Sequence, residues 1–271
     1  MKGININTII LFFLLLISLS PFTGIFDSNR DYLMKTNHES YDEKMNTLND
    51  LNQIISYTDS IFKLQNIEVK SDTSAYVFYL SETIKNRFQF GLAHYNISYN
   101  WIASILGKFF WPHFSAIVKP NDILKHSNGL CSQQTIVFME ALKLKNIPFR
   151  SIGFGKKEGP GHFLCEVYYN SSWHLYDVTK EPSWNKIKKQ HESLNYYLHN
   201  RDSLYKIYED IVSPGLIDLY VSEIKIGEVN KFPASNMLLF HFITYSLTLI
   251  IPSILIILFI KQFLFLKEDS K

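Results

Sequence analysis

Cys131, His162 and Asp177 are residues of this chain whose types and spacing could do chemistry together. A thiolate is a strong nucleophile, an imidazole can hold or relay its proton, and a carboxylate can fix the imidazole tautomer and stabilise its cation. Such a set would attack a carboxamide or peptide carbonyl, form a thioester acyl-enzyme, and pass the acyl group to an amine or to water. Cys131 follows the turn-prone run Ser127-Asn-Gly-Leu and opens Cys131-Ser-Gln-Gln-Thr-Ile-Val-Phe-Met-Glu-Ala-Leu-Lys-Leu144, with positions such as Ile136, Met139 and Lys143 at helical spacing. The thiol is therefore expected in the first turn of a helix. There, about half a positive charge and unpaired N–H groups favour the thiolate.

The elements that must position the other two residues follow at once. Asn146-Ile-Pro148 breaks the helical pattern, Phe149 to Phe154 reads as a strand, and Gly155 to Gly161 as a flexible loop. His162-Phe-Leu-Cys-Glu-Val-Tyr-Tyr169 and Trp173-His-Leu-Tyr-Asp-Val178 are strand-like runs around Asn170-Ser-Ser172, which makes a hairpin. If the loop is Asn170-Ser171, in the type I′ turn that demands positive φ, Tyr169 pairs with Ser172 and paired positions sum to 341. Leu164 then faces Asp177, and His162 lies diagonal to Asp177 on the same side, within side-chain reach. Cys165 points to the opposite face as a core thiol beside Val167. A three-residue loop would shift this register by one and spoil the arrangement unless a bulge restored it.

The local words point further. Asn128-Gly-Leu-Cys-Ser-Gln-Gln134, Asn146-Ile-Pro-Phe-Arg150, Gly161-His-Phe-Leu-Cys-Glu-Val-Tyr-Tyr169 and Trp173-His-Leu-Tyr-Asp177 closely resemble the transglutaminase-like superfamily of papain-type folds. The order matches: a Gly-x-Cys at a helix start, an Ile-Pro-x-Arg strand entry, a Gly-His strand and a Trp-x-x-x-Asp strand. The resemblance covers roughly Trp111 to Pro182. It implies an α+β fold with a papain-like core, a Cys-bearing helix packed on an antiparallel sheet, and a catalytic triad carried onto Cys131, His162 and Asp177. The turn departs from the family pattern, with Ser171 or Ser172 where Gly is common. Bacterial members of the superfamily include proposed transamidating enzymes, proteases and proteins without activity, and these motifs do not separate them. The implied function is a thiol enzyme acting on protein or peptide amides; the alternatives are a catalytically silent binding module and a scaffold subunit of a membrane assembly.

Other polar residues carry less. His174 falls on the face opposite Asp177 and reads as structural or exposed. Gln133 and Gln134 read as surface residues or as supports of the site, and Trp111 and Trp173 as packing. Two cysteines are too few for a disulfide framework, and no Cys/His cluster has zinc spacing. No acidic loop of the DxDxDG kind suggests calcium, so neither a metal nor a cofactor is expected. Asn96-Ile-Ser98 and Asn170-Ser-Ser172 match glycosylation sequons, which arise by chance in an Asn-rich chain.

Composition places these elements in a larger frame. The chain has 271 residues, 46% hydrophobic and 19% charged, with a net charge of +2. No basic stripe could track a phosphate backbone, so nucleic acid is not an expected partner. The apolar content is concentrated at the ends: 24 residues between Lys2 and Asp27, and 29 between Lys231 and Lys261, carry no Asp, Glu, Lys or Arg. About 20 apolar residues suffice for a membrane-spanning helix. We therefore expect a signal anchor or transmembrane helix over 5–26 and a transmembrane helix over 235–260. Ser18-Leu-Ser20 offers small residues for signal cleavage, but Pro21 just after disfavours the cut, so both fates of the first segment stay open. Between them lies one soluble domain: a mostly helical part over 27–110, the core over 111–182 and a C-terminal part over 183–231. Helical patterns stand out at Met45 to Ile55 and Thr73 to Phe90. With Lys2 and the C-terminal lysines inside, the soluble domain would face away from the cytoplasm.

Overall fold

The structure is a computed structural model that describes residues 6–25, 32–33, 40–64, 72–155, 161–180, 191–208 and 211–268. Most of the loop read at Gly155 to Gly161, together with Lys2, Lys271 and Pro182, lies outside them. In chain order the elements are α1 (Ile6–Leu19), β1 (Tyr32–Leu33), α2 (Leu51–Leu64), α3 (Thr73–Arg87), β2 (Gln89–Leu92), α4 (Ile97–Phe109) and α5 (Pro120–Ile123). There follow β3 (Asn128–Gly129), α6 (Cys131–Leu144), β4 (Phe149–Phe154), β5 (His162–Tyr169) and β6 (Ser172–Tyr176). The chain continues through α7 (Leu194–His199), α8 (Arg201–Tyr208), α9 (Pro214–Tyr220), β7 (Ile224–Ile226) and α10 (Ser235–Glu268). The fold is mixed helix and sheet, and the chain divides into two compact units.

One unit comprises 1–30, 94–117 and 235–271, and so joins α1, α4 and α10. Its Ile6–Thr23 and Ser235–Leu264 segments are long and apolar enough to cross a bilayer. α10 runs through Pro252 without interruption.

The other unit, 31–93 and 118–234, contains the rest. Its main sheet is antiparallel throughout, in the order β6-β5-β4-β7. The hairpin pairs Tyr169 with Ser172 and Cys165 with Tyr176, so paired positions sum to 341 as expected. Asn170 and Ser171 take φ of 48° and 64°, the left-handed pair that matches the strand twist of a two-residue loop. One sheet face buries Leu164 and Leu175 against Leu194, Leu204, Ile207 and Ile217 of the C-terminal helices. The other receives α6, where Phe138 meets Tyr176 at 5.7 Å between ring centroids and Cys165 is fully buried.

α6 is buried almost all round, because α2, α3 and α5 cover the side turned away from the sheet. Gln133 and Gln134, read from the sequence as surface or supporting residues, are 1% and 2% exposed. They are tolerated inside because each amide bonds backbone. Gln133 accepts from the N–H groups of Leu130 and Ala93 and donates to the Ala93 carbonyl, and Gln134 donates to the Gly129 carbonyl. The helix stops where Asn146 turns left-handed (φ 56°), with the N–H groups of Asn146 and Ile147 bonding the carbonyls of Lys143 and Leu142.

Two helical readings shift. The pattern at Met45 to Ile55 divides into a 3-10 turn at Glu43–Thr47 and α2, whose start is capped by Asp50 accepting from the Gln53 N–H. The helix expected to reach Phe90 ends at Arg87. Gln89 and Phe90 instead pair in parallel with Asn128 and Gly129, beside the entry to α6.

Candidate active site

Phe163, the second residue of β5, lies against the first turns of α6. The Phe163 N–H bonds the Cys131 sulfur, while one turn further along the helix Thr135 Oγ1 donates to the Phe163 carbonyl at 3.0 Å. Residues four apart share a helix face, so one β5 residue holds both and sets the rotation of α6 against the sheet. Cys131 is the first residue of the helix, as expected, and is partly exposed.

His162 opens β5 and is 5% exposed; Asp177 lies just beyond β6 and is 4% exposed. His162 Nε2 donates to Asp177 Oδ2 at 2.5 Å, and the imidazole also hydrogen-bonds the Cys131 side chain. With Nε2 engaged by the carboxylate, Nδ1 is the nitrogen left for the sulfur. The three sequence-selected residues thus form a hydrogen-bonded chain, sulfur to imidazole to carboxylate, on the geometry that the 341 register predicts.

Asp177 is held by more than His162. Its Oδ1 accepts from the Thr179 and Lys180 N–H groups at 3.2 and 3.0 Å, and its Oδ2 from the Tyr208 hydroxyl at 2.8 Å. The His162 ring stacks on Tyr220, with centroids 5.4 Å apart and an interplanar angle of 24°. Lys180 Nζ in turn donates to the Tyr220 hydroxyl at 3.1 Å. An apolar pocket lined by Phe154, Leu204, Tyr208, Ile217 and Tyr220 lies against His162 and keeps water from that side of the ring.

These contacts decide the charge states. Burial works against the charged form of all three groups, but their mutual attraction prevails. The Cys131 thiol lies below its ordinary value: burial would raise it, and the His162 hydrogen bond and charge with the Phe163 N–H outweigh that. Burial would lower His162, but the charge and hydrogen bond of Asp177, joined by those of Cys131, together outweigh it and raise the imidazole. Asp177 is depressed by His162 first, then by the Tyr208 hydroxyl and the Lys180 N–H, against its own burial. All three shifts favour a thiolate beside an imidazolium.

The other candidates are placed apart from this chemistry. His174 bonds Ser172 Oγ and the His191 carbonyl and stacks on Tyr169, a structural role. Trp173 lies under the Arg150 guanidinium at 4.4 Å, and Trp111 is 50% exposed in the other unit. Gln133 and Gln134 hold backbone at the helix entry. Among the described residues no group of His, Cys, Asp and Glu could hold a metal. Tyr208 and Tyr220 were not legible in the sequence. They follow Asp177 by 31 and 43 positions, and nothing in their neighbourhoods marks them.

No family model matches the chain, and no curated protein matches it by sequence. Among solved structures it is similar to one described as the crystal structure of a TGase, a transglutaminase. The identity is 15% and the TM-score 0.33, over 58% of this chain. The chain spans about a third of that structure's length, 36%, so the likeness to a transglutaminase is weak.

Proposed function

We propose that the chain is a membrane-tethered thiol enzyme with a transglutaminase-like core, in which Cys131, His162 and Asp177 form the catalytic triad. The observation that carries this reading is the hydrogen-bonded chain through His162, with the thiol lowered and the imidazole raised. The Cys131 thiolate attacks the carbonyl carbon of a protein or peptide amide. As the C–N bond breaks, the imidazolium gives its proton to the departing amine and a thioester remains. An incoming amine or water then loses a proton to His162 as it attacks the thioester, and the thiolate is released. Asp177 keeps the ring oriented and stabilises its cation throughout. Developing negative charge on the carbonyl oxygen falls beside the first turn of α6, where helix N–H groups converge.

The soluble unit is tethered by the two terminal helices and, on the charge asymmetry of the ends, faces away from the cytoplasm. A library of Gln-containing and amine-tagged peptides, offered to the full chain and to Cys131→Ala, tests the activity. Thioester-dependent product with the wild type and none with Cys131→Ala is expected. Equal product from both, or a Cys131 that alkylates like an ordinary buried thiol, would leave a silent binding module.

A further inference from the structure

The unit joining α1, α4 and α10 has its polarity reversed relative to a water-soluble globule. Its interior holds Asn100, His241, Thr244 and Thr248, none more than 5% exposed. Its surface carries Phe109 at 71%, Phe110 at 76% and Ile257 at 64% exposure. In water the large apolar side chains would be inside; polar groups packed between helices with apolar groups outside is the arrangement that suits lipid.

Asn100 organises the interior. Its backbone leaves helical geometry (φ −144°, ψ 78°), and its Oδ1 accepts from the Ala103 N–H at 3.1 Å, so it caps the helix that follows. Its Nδ2 donates to Thr244 Oγ1 at 2.9 Å, and Thr248 Oγ1 approaches its Oδ1 at 3.5 Å. On the same stripe of α10, His241 Nε2 donates to the Phe114 carbonyl at 2.9 Å. α4 and the turn Pro112–Phe114 therefore cover the polar stripe of an otherwise apolar helix.

The ends of this segment meet. His94 bridges Ala116, and the Tyr95 N–H donates to the Ser115 carbonyl at 2.9 Å. Gly107 packs so closely on Ser115 that a Cβ there would lie 2.3 Å from its Oγ. The chain leaves and returns at one place. The helix that follows the kink at Asn100, over 101–109, rises only about 14 Å, short of the roughly 30 Å hydrocarbon core. Lys108, over the Phe109 ring at 5.6 Å, and Trp111 are the residue types that settle at the headgroup boundary.

We infer that 94–116 is a re-entrant membrane element: it enters and leaves the bilayer on one side, with Phe109, Phe110 and Trp111 in contact with lipid and Asn100 seated on the polar stripe of α10. This rests on α10 being a membrane span, and the test separates the two. The full chain carrying Cys131→Ser, with Cys165 buried, is reconstituted in phosphatidylcholine vesicles with a nitroxide at Phe110→Cys. Matching chains carry the label at Ile257→Cys and at Lys143→Cys, and relaxation by oxygen and by a water-soluble nickel chelate is compared.

A label at 110 with oxygen access well above and chelate access well below those at 143, as at the headgroup boundary or deeper, supports the inference. A label at 110 that is chelate-accessible like the one at 143, while 257 stays protected, overturns the inference alone. Protection of 110 from both reagents indicates a protein contact and also overturns it. Chelate access at 257 overturns the span reading and the inference with it. Phe109→Cys, equally exposed, repeats the measurement should the first variant misfold.

Discussion

At the scale of single residues, the hydrogen bonds joining Cys131, His162 and Asp177 make a pH-dependent expectation. The Cys131 thiol lies below its ordinary value, against its burial, because His162 hydrogen-bonds it and carries charge beside it, so alkylation by iodoacetamide should proceed well below pH 8. His162→Ala removes the hydrogen bond and the charge together, and the alkylation profile should move up toward that of an ordinary thiol. Tyr208→Phe deletes a hydrogen bond to a carboxylate, worth about 1.5 kcal/mol, or on the order of one pH unit. Asp177 is depressed in part by that hydroxyl, so its protonation should intrude at higher pH, and the acid limb of the alkylation profile should rise by about that much. A purely structural Tyr208 would lower the melting temperature without moving that limb. Cys131, His162 and Asp177 could be singled out because a thiol after a turn, a strand His and a hairpin Asp are marked by local sequence. Tyr208 and Tyr220 were not, since their place beside His162 is fixed by the packing of α8 and α9 on the sheet.

At the scale of elements, the hairpin shows why register could be read in advance. Turn chemistry at Asn170 and Ser171 is local, and the side-chain period of two carries it to Asp177. What sequence did not reveal is how the strands are tied to the helices beyond them. Arg150 and Glu166 are cross-strand partners, with Arg150 Nε and Nη2 on Glu166 Oε2 at 2.8 and 2.6 Å. The fully buried Glu166 also accepts from the Leu194 N–H through Oε1 at 2.7 Å, joining the sheet to the start of α7. Arg150→Leu would leave that carboxylate buried without its cation and should cost about 3 kcal/mol, seen as a lower denaturant midpoint. Combining it with Glu166→Gln should recover much of the loss, because the neutral amide still presents an oxygen to Leu194. Lack of recovery would assign the effect to Arg150 packing on Trp173 instead. The apolar ends were legible from length and composition, whereas α4 was not set apart, because its apolar run is too short to span a bilayer and is interrupted by Asn100 and Lys108.

At the scale of the whole molecule, composition averages two solvents. One unit buries a conventional apolar core, and the other exposes its apolar groups and buries polar ones, which accounts for a chain that is 46% hydrophobic without an oversized soluble core. The Tyr208 hydroxyl on Asp177 and the Leu194 N–H on Glu166 bear on how the site could be transplanted. A fragment over 111–182 would carry all three chemical residues and every recognisable motif, yet none of the helices that close over them. It should show no cooperative thermal transition and an ordinary alkylation profile at Cys131, where the full chain should show a cooperative transition and the lowered profile. The arrangement of Cys131, His162 and Asp177 is not portable with its motif: a transplanted core would have to take the closing helices along as part of the same inheritance.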